Sequence, residues 1–144
     1  MNAPLAFHPL GDEDVEEIVA LWTRCGLVRP WNDPARDIAM ARAKTNSEVL
    51  VARLGGRLVA SVMVGHDGHR GIVYYVSVDP DMQGRGYGRQ VMRAAEDWLV
   101  ARGIWKLNLL VRAENEKVRG FYEGLGYEVE PRLCMARKLV EPRG

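Results

Sequence analysis

Residues 83–89 read Gln-Gly-Arg-Gly-Tyr-Gly-Arg, and an amphipathic run then continues to Gly103. Glycines at alternate positions leave backbone N–H groups unshielded where a strand-like run, 72–78, gives way to a helix-like one. A helix N-terminus carries partial positive charge, and bare N–H groups there attract phosphate. Arg85 and Arg89 add formal charge. A tight turn with solvated arginines accounts for the same residues. Two nucleotide motifs fail. The dinucleotide fingerprint needs glycine where Arg89 stands, and it needs an acid ending the next strand; a Walker A loop needs Gly-Lys-Ser/Thr.

Other chemistry-bearing groups lie in two polar stretches. Gly-His-Asp-Gly-His-Arg-Gly, 65–71, offers His66, Asp67 and His69. An ordinary histidine titrates near pH ~6.5, which suits proton transfer, and a solvated loop explains it equally. Arg-Pro-Trp-Asn-Asp-Pro, 29–34, contains Asp33 and Pro34, which fit a helix cap and first helical position. Arg29, Trp31 and Asn32 are not explained by capping. Trp31 reads as a wall of a site or as a cover for the core. Cys25 and Cys134 make no metal spacing and read as free core thiols of a reducing compartment.

The elements that must position these groups follow from periodicity. Residues 4–9 suggest a short strand. Residues 12–25 form a helical stripe through Val15, Ile18, Val19, Trp22 and Cys25, with Asp12 as cap. A second helix opens at Asp33-Pro34 and ends near Lys44. Two β-branched runs across 48–65 flank Gly55-Gly56, a hairpin signal. Residues 72–78 form a strand that stops at Asp79-Pro80. The helix after the glycines turns Val91, Ala95, Trp98 and Leu99 inward. Residues 105–112 form a strand. Residues 115–125 form a helix capped by Asn115, with Val118, Tyr122 and Leu125 on one face. Strands at 127–130 and 132–139 close the chain. The order β-α-α-β-β-β-α-β-α-β-β predicts a mixed α/β fold in a single domain spanning 1–144.

Gln83-Gly84-Arg85-Gly86-Tyr87-Gly88 resembles the Q/R-x-x-G-x-G/A motif of the GNAT N-acetyltransferases. Val-Ser-Val-Asp-Pro before it, and Asn-Glu-Lys-Val-Arg-Gly-Phe-Tyr-Glu-Gly-Leu-Gly-Tyr after it, are similar to that family's cofactor strand and Asn…Tyr helix. Residues 21–34 and 65–78 resemble the small bacterial acetyltransferases of the YpeA type. The resemblance implies a GNAT-like fold: a mostly antiparallel mixed sheet of about six or seven strands, flanked by about four helices. It also implies acetyl-CoA as co-substrate. Residues 83–89 (Gln83, Gly84, Arg85, Gly86, Tyr87, Gly88 and Arg89) would hold the pyrophosphate. The backbone of Val76, Ser77 and Val78 would pair with the pantetheine arm, as an added strand does. Asn115 would contact that arm as well as cap its helix.

The implied chemistry is attack of a neutral primary amine on a thioester. The Val76 N–H would stabilise the oxyanion, and Tyr122 would protonate the departing thiolate. Trp31, Asn32, Asp33, Asp67, His69 and Tyr75 would border the acceptor. Tyr74 and Tyr75 alternate along their strand, so one should face the groove and the other the core. The places where relatives carry a glutamate base hold Leu110 and Ile72, neither of which can take a proton. That gap supports an alternative, a non-catalytic acyl-CoA-binding sensor.

Composition bounds the remainder. The chain has 144 residues, 47% of them hydrophobic, 27% charged, with a net charge of +1. That balance suits a globular domain and argues against a general nucleic-acid binder, although Arg85, Arg89 and Arg93 fall on one helical side. Residues 1–14 do not read as a signal peptide, and no apolar run approaches the roughly 20 residues of a membrane span. The expectations are a cytoplasmic protein without a metal, monomeric or homodimeric, whose amine acceptor is a small molecule or a peptide.

Overall fold

A computed structural model describes residues 4–141. The elements run β1 (Phe7–Pro9), a 3₁₀ turn (Asp12–Asp14), α1 (Val15–Arg24), α2 (Pro34–Arg42), β2 (Ser47–Leu54), β3 (Arg57–His66) and β4 (Gly71–Val78). A second 3₁₀ turn (Pro80–Met82), α3 (Tyr87–Val100), β5 (Leu107–Asn108) and α4 (Glu116–Gly124) follow. The strands form one sheet in chain order, antiparallel from β1 to β4, with β5 parallel to β4.

Alternation along β2 divides the core. Val49 and Val51 face Ile18, Leu21, Trp22, Ile38 and Ala41 of α1 and α2. Leu50 and Ala52 face Val91, Met92, Ala95 and Leu99 of α3 on the opposite side of the sheet. The β2–β3 hairpin turns on Gly55 and Gly56, with φ of 57° and 81°, which side chains other than glycine rarely adopt. Asp33 caps α2 by accepting from the Arg36 N–H at 3.2 Å, and Asn115 caps α4 through the Val118 N–H at 3.2 Å.

The ladder between β3 and β4 is interrupted. Register passes from Ser61↔Ser77 to Met63↔Tyr74, so Tyr75 and Val76 stand opposite Val62 alone. This is a bulge, two residues against one. Tyr75 takes φ 51°, the only positive value at a described non-glycine residue. Ser61 holds the irregularity. Its hydroxyl donates to the Tyr75 carbonyl at 2.9 Å and accepts from the Trp22 indole N–H at 2.8 Å. The Ser77 hydroxyl, 2.7 Å away, is satisfied by donating to the same oxygen. Ser61 and Trp22 are fully buried, so none of these groups has water as a substitute.

Several expectations are corrected. Five strands form among the described residues, against an expected six or seven. Residues 127–130 and 132–139 are not strands, and Val129, Leu133, Met135 and Leu139 are exposed. Their β propensity is local, whereas a strand needs an edge to pair with, and β5 supplies two residues in place of the expected 105–112. Cys134 is therefore exposed and not a core thiol. Cys25 is half-buried, and its thiol reaches the Val78 carbonyl. Asp12 caps nothing and pairs with Arg42 at 2.8 Å; the Asp14 carboxylate accepts from the Gly11 N–H instead. Val118 does not turn inward.

Beyond the end of β4, Asp79 is almost fully buried. It accepts from the Asp81 N–H at 2.9 Å and pairs with Arg24 at 2.9 Å and Arg57 at 2.7 Å. Burial would raise its pKa, but the N–H bond and the two guanidiniums outweigh that and hold it below the ordinary value. Asp14 and Glu17 are likewise lowered, first by backbone N–H bonds and then by Arg53.

Two measurements test these anchors. Ser61→Ala leaves the Trp22 N–H and Tyr75 carbonyl without partners and should cost about 1–3 kcal/mol in urea unfolding; a loss of a few tenths would mean that the bulge stands without it. For the three carboxylates, folded pKa values lie below unfolded ones. Their contribution is complete above the unfolded values, roughly pH 4, and is lost as pH falls through the folded values. Unfolding free energy should decline below about pH 4, and less steeply in Asp79→Asn; equal slopes would contradict the assignment.

Candidate functional site

Two features flank β4, one after its C-terminal end and one along its first residues. The first is the start of α3. Gly84 and Gly86 have φ of 80° and 82°, and a Cβ on either would touch nothing within 4 Å. Glycine is needed there for conformation, and the space beside it is open. The first helical bond of α3 runs from the Gln90 N–H to the Gly86 carbonyl. The N–H groups of 87–89 precede it and have no intrahelical acceptor. Arg89 is exposed and makes no ion pair among the described residues. Arg85 reaches the Met82 sulfur at 3.4 Å, and Gln83 donates to the Val78 carbonyl at 3.4 Å. Tyr87 has its ring in the core, so only its backbone faces the turn. Gly88 serves packing: a Cβ there would lie 2.9 Å from the Phe121 ring.

Tyr122, beside Phe121 on α4, is half-buried. Its ring meets Phe121 and Tyr127 edge-on at centroid distances of 5.0 and 5.8 Å. Its hydroxyl has no hydrogen-bond partner among the described residues, and burial pushes its pKa up, which keeps the proton on at neutral pH. On β4, Val76 is half-buried and the Ser77 hydroxyl is committed to Ser61.

The second feature is a groove of about 770 Å³ between α2 and the β3–β4 sheet surface. Of the residues expected around an acceptor, the structure brings Asn32, Asp67 and Tyr75 to its wall. Trp31, Asp33 and His69 lie outside it: Trp31 is 56% exposed and Asp33 is occupied as a cap. Asp67 closes its own loop by accepting from the His69 and Arg70 N–H groups, both at 2.8 Å, and these bonds hold its pKa down.

Tyr74 and Tyr75 both reach the groove, which corrects the expected alternation. The bulge rotates Tyr75 out of the pleat. Its ring stacks on Trp22 at 3.9 Å, and its hydroxyl donates to Asp37 Oδ2 at 2.7 Å. Burial, followed by this carboxylate, raises its pKa well above the usual phenol range. Asp37 is a groove residue that sequence reasoning missed. The available signal was its position four residues after the cap and four before buried Ala41, on one helix face. Asp79 was also missed as an anchor and read only as a strand end. Leu110 is exposed and Ile72 lines the groove.

The acetyltransferase (GNAT) family profile matches residues 15–127. An acetyltransferase of Yersinia pestis (strain Pestoides F) is 44% identical over 128 residues, covering 89% of this chain and 91% of that protein. Among solved structures, a putative acetyltransferase from Agrobacterium tumefaciens superposes with TM-score 0.78 at 21% identity, covering 92% of this chain and 99% of that one. The aminoglycoside-modifying AAC(6')-Iy, in complex with the bisubstrate analogue CoA-S-monomethyl-acetylneamine, superposes with TM-score 0.80 at 17% identity, covering 96% and 100%. At these identities the two structures speak for the fold, and the sequence matches speak for the family. The chain belongs to the acetyltransferase (GNAT) family.

Proposed function

We propose that this acetyltransferase moves an acetyl group from acetyl-CoA directly to a primary amine. The observation that carries the reading is the junction at the end of β4. The bulged strand runs there into an open left-handed glycine turn and a helix N-terminus, and earlier residues of the same strand, Gly71, Ile72 and Tyr74, line a groove with room for a second substrate. AAC(6')-Iy, with the same fold, binds an analogue joining CoA to an aminoglycoside, which supports a CoA donor and an amine acceptor meeting in one site.

The pyrophosphate of CoA sits in the open space at Gly84 and Gly86. It accepts from the N–H groups that begin α3, with Arg85 and Arg89 adding charge. The residues present fit an anion: the turn has room, donors and no side chain of its own in the way. The pantetheine arm pairs with the backbone of Val76, Ser77 and Val78, and Asn115 adds a contact from the start of α4. Acetyl-CoA supplies the thioester. The amine nitrogen bonds to the carbonyl carbon, and the oxygen becomes an oxyanion that the Val76 N–H stabilises. The C–S bond then breaks, and the Tyr122 hydroxyl donates its proton to the leaving thiolate. The proton lost by the amine passes to water in the groove, and water returns a proton to the Tyr122 phenolate, which restores the acid for the next turnover.

Tyr122→Phe should lower kcat by about 10²-fold or more, measured as thiol release, while calorimetric affinity for CoA stays within about twofold. Unchanged kcat removes Tyr122 from the chemistry. Gly86→Ala forces a side chain into a left-handed conformation that costs about 1–2 kcal/mol, and places a methyl where the phosphates lie. CoA affinity should fall at least about tenfold; unchanged affinity would move the phosphate site elsewhere.

A further inference from the structure

The groove has an electrical direction. Its two walls, α2 with the chain that follows and the β3–β4 sheet surface, are joined at both ends. At one end the Tyr75 hydroxyl donates to Asp37. At the other the His66 N–H donates to the Asn46 carbonyl at 2.9 Å, and the Asn46 side-chain amide donates to the His66 carbonyl at 2.9 Å. Asp37 marks the end next to Val76. Lys44 and Arg70 line the far end. Seven residues separate Asp37 from Lys44, roughly 10 Å at the helical rise. Five separate Tyr75 from Arg70, roughly 16 Å at the strand rise.

The far cations are available to a ligand. Neither Lys44 nor Arg70 makes an ion pair among the described residues. Among the described residues the Lys44 ammonium donates to the Met40 carbonyl alone, at 3.4 Å, and the Arg70 guanidinium lies over the Trp105 ring at 4.6 Å and reaches the His69 carbonyl at 3.3 Å. The acid at that end, Asp67, has one oxygen committed to two backbone N–H groups. Glu130, the other carboxylate near Arg70, lies outside the groove and pairs with Lys106 at 2.6 Å, so within the groove's far end Lys44 and Arg70 outnumber Asp67 and leave it positive. The surface between the ends is largely apolar: Met40, Met63, Ile72 and Tyr74.

We infer that the acceptor is an amine that also carries an anionic group, a carboxylate or a phosphate, at the other end of a short apolar spacer. Asp37, oriented by Tyr75, hydrogen-bonds the amine beside the thioester, and Lys44 and Arg70 bind the anion. This rests on the acetyl-transfer reading, because that reading puts the reacting carbon at the Val76 end. A polycation would meet Lys44 and Arg70 as like charges.

The test compares an ω-amino acid series, from β-alanine to ε-aminocaproate, with the amide of each acid and the diamine of each length. Phosphoethanolamine and aminobutyl phosphate provide the phosphate arm. Thiol release gives kcat/KM with acetyl-CoA, and calorimetry on the CoA-saturated protein gives affinity without turnover. At the best length, the anionic acceptor should exceed both its amide and its diamine at least tenfold, the better of carboxylate and phosphate identifying the anion. In Lys44→Gln and Arg70→Gln, whose circular dichroism checks the fold, the acid-to-amide ratio should fall toward one. Asp37→Asn should raise KM for acids and amides alike. A wild-type ratio at or below one in both readouts overturns the inference, as does a ratio that both Gln variants leave intact. Charge-selective binding without thiol release from any acceptor would uphold the groove assignment and overturn acetyl transfer.

Discussion

Ser61 makes the site's geometry. A regular ladder between β3 and β4 would send Tyr75 into the pleat and close the Val76 N–H against β3. Placing two residues opposite one leaves a backbone carbonyl that needs a donor, and the Ser61 hydroxyl supplies it. The same oxygen receives the Trp22 N–H, and Trp22 carries the stacked Tyr75 ring. One buried hydroxyl thus ties α1, β3 and β4 together and fixes a residue in a backbone region that costs about 1–3 kcal/mol to occupy. Everything proposed for the oxyanion, the pantetheine arm and Asp37 depends on that displaced pair of residues.

Downstream, the strand's exit is held by charge. Asp79 binds two arginines from different elements and the N–H that begins the next turn. Its position sets where the chain leaves the sheet, and therefore where the glycines and the N-terminus of α3 come to lie. The two anchors sit two residues either side of Ser77. They hold the segment between them on its core side, through the Ser77 hydroxyl and the Asp79 carboxylate.

What was legible in the sequence was local. Asp33 and Asn115 cap helices through bonds within three residues, and Gly55-Gly56 turns a hairpin on its own φ values. Gly84 and Gly86 likewise announce a left-handed turn, and the motif around them carried the family. What was not legible depends on contacts distant in sequence. Tyr75 meets Asp37 only because the bulge turns it, and the bulge needs Ser61. Tyr87 sits between the turn's Gly86 and Gly88, yet its ring belongs to the core. Residues 132–139 have the composition of a strand and lack an edge to join. Of the polar residues in 29–34 and 65–71, composition could not tell Asn32 and Asp67, which line the groove, from Asp33 and His69, which do not.

The contact between Gly88 and Phe121 has a consequence of its own. α4 has no buried residue, and its hold on the body of the protein runs through Phe121, Tyr122 and Leu125. A flat ring lying on a residue without a side chain makes a hinge as well as a joint, because nothing there interlocks. An element with so little buried surface opens locally at a lower free energy than the sheet core. Such an opening would leave Ser61, Asp79 and the core untouched.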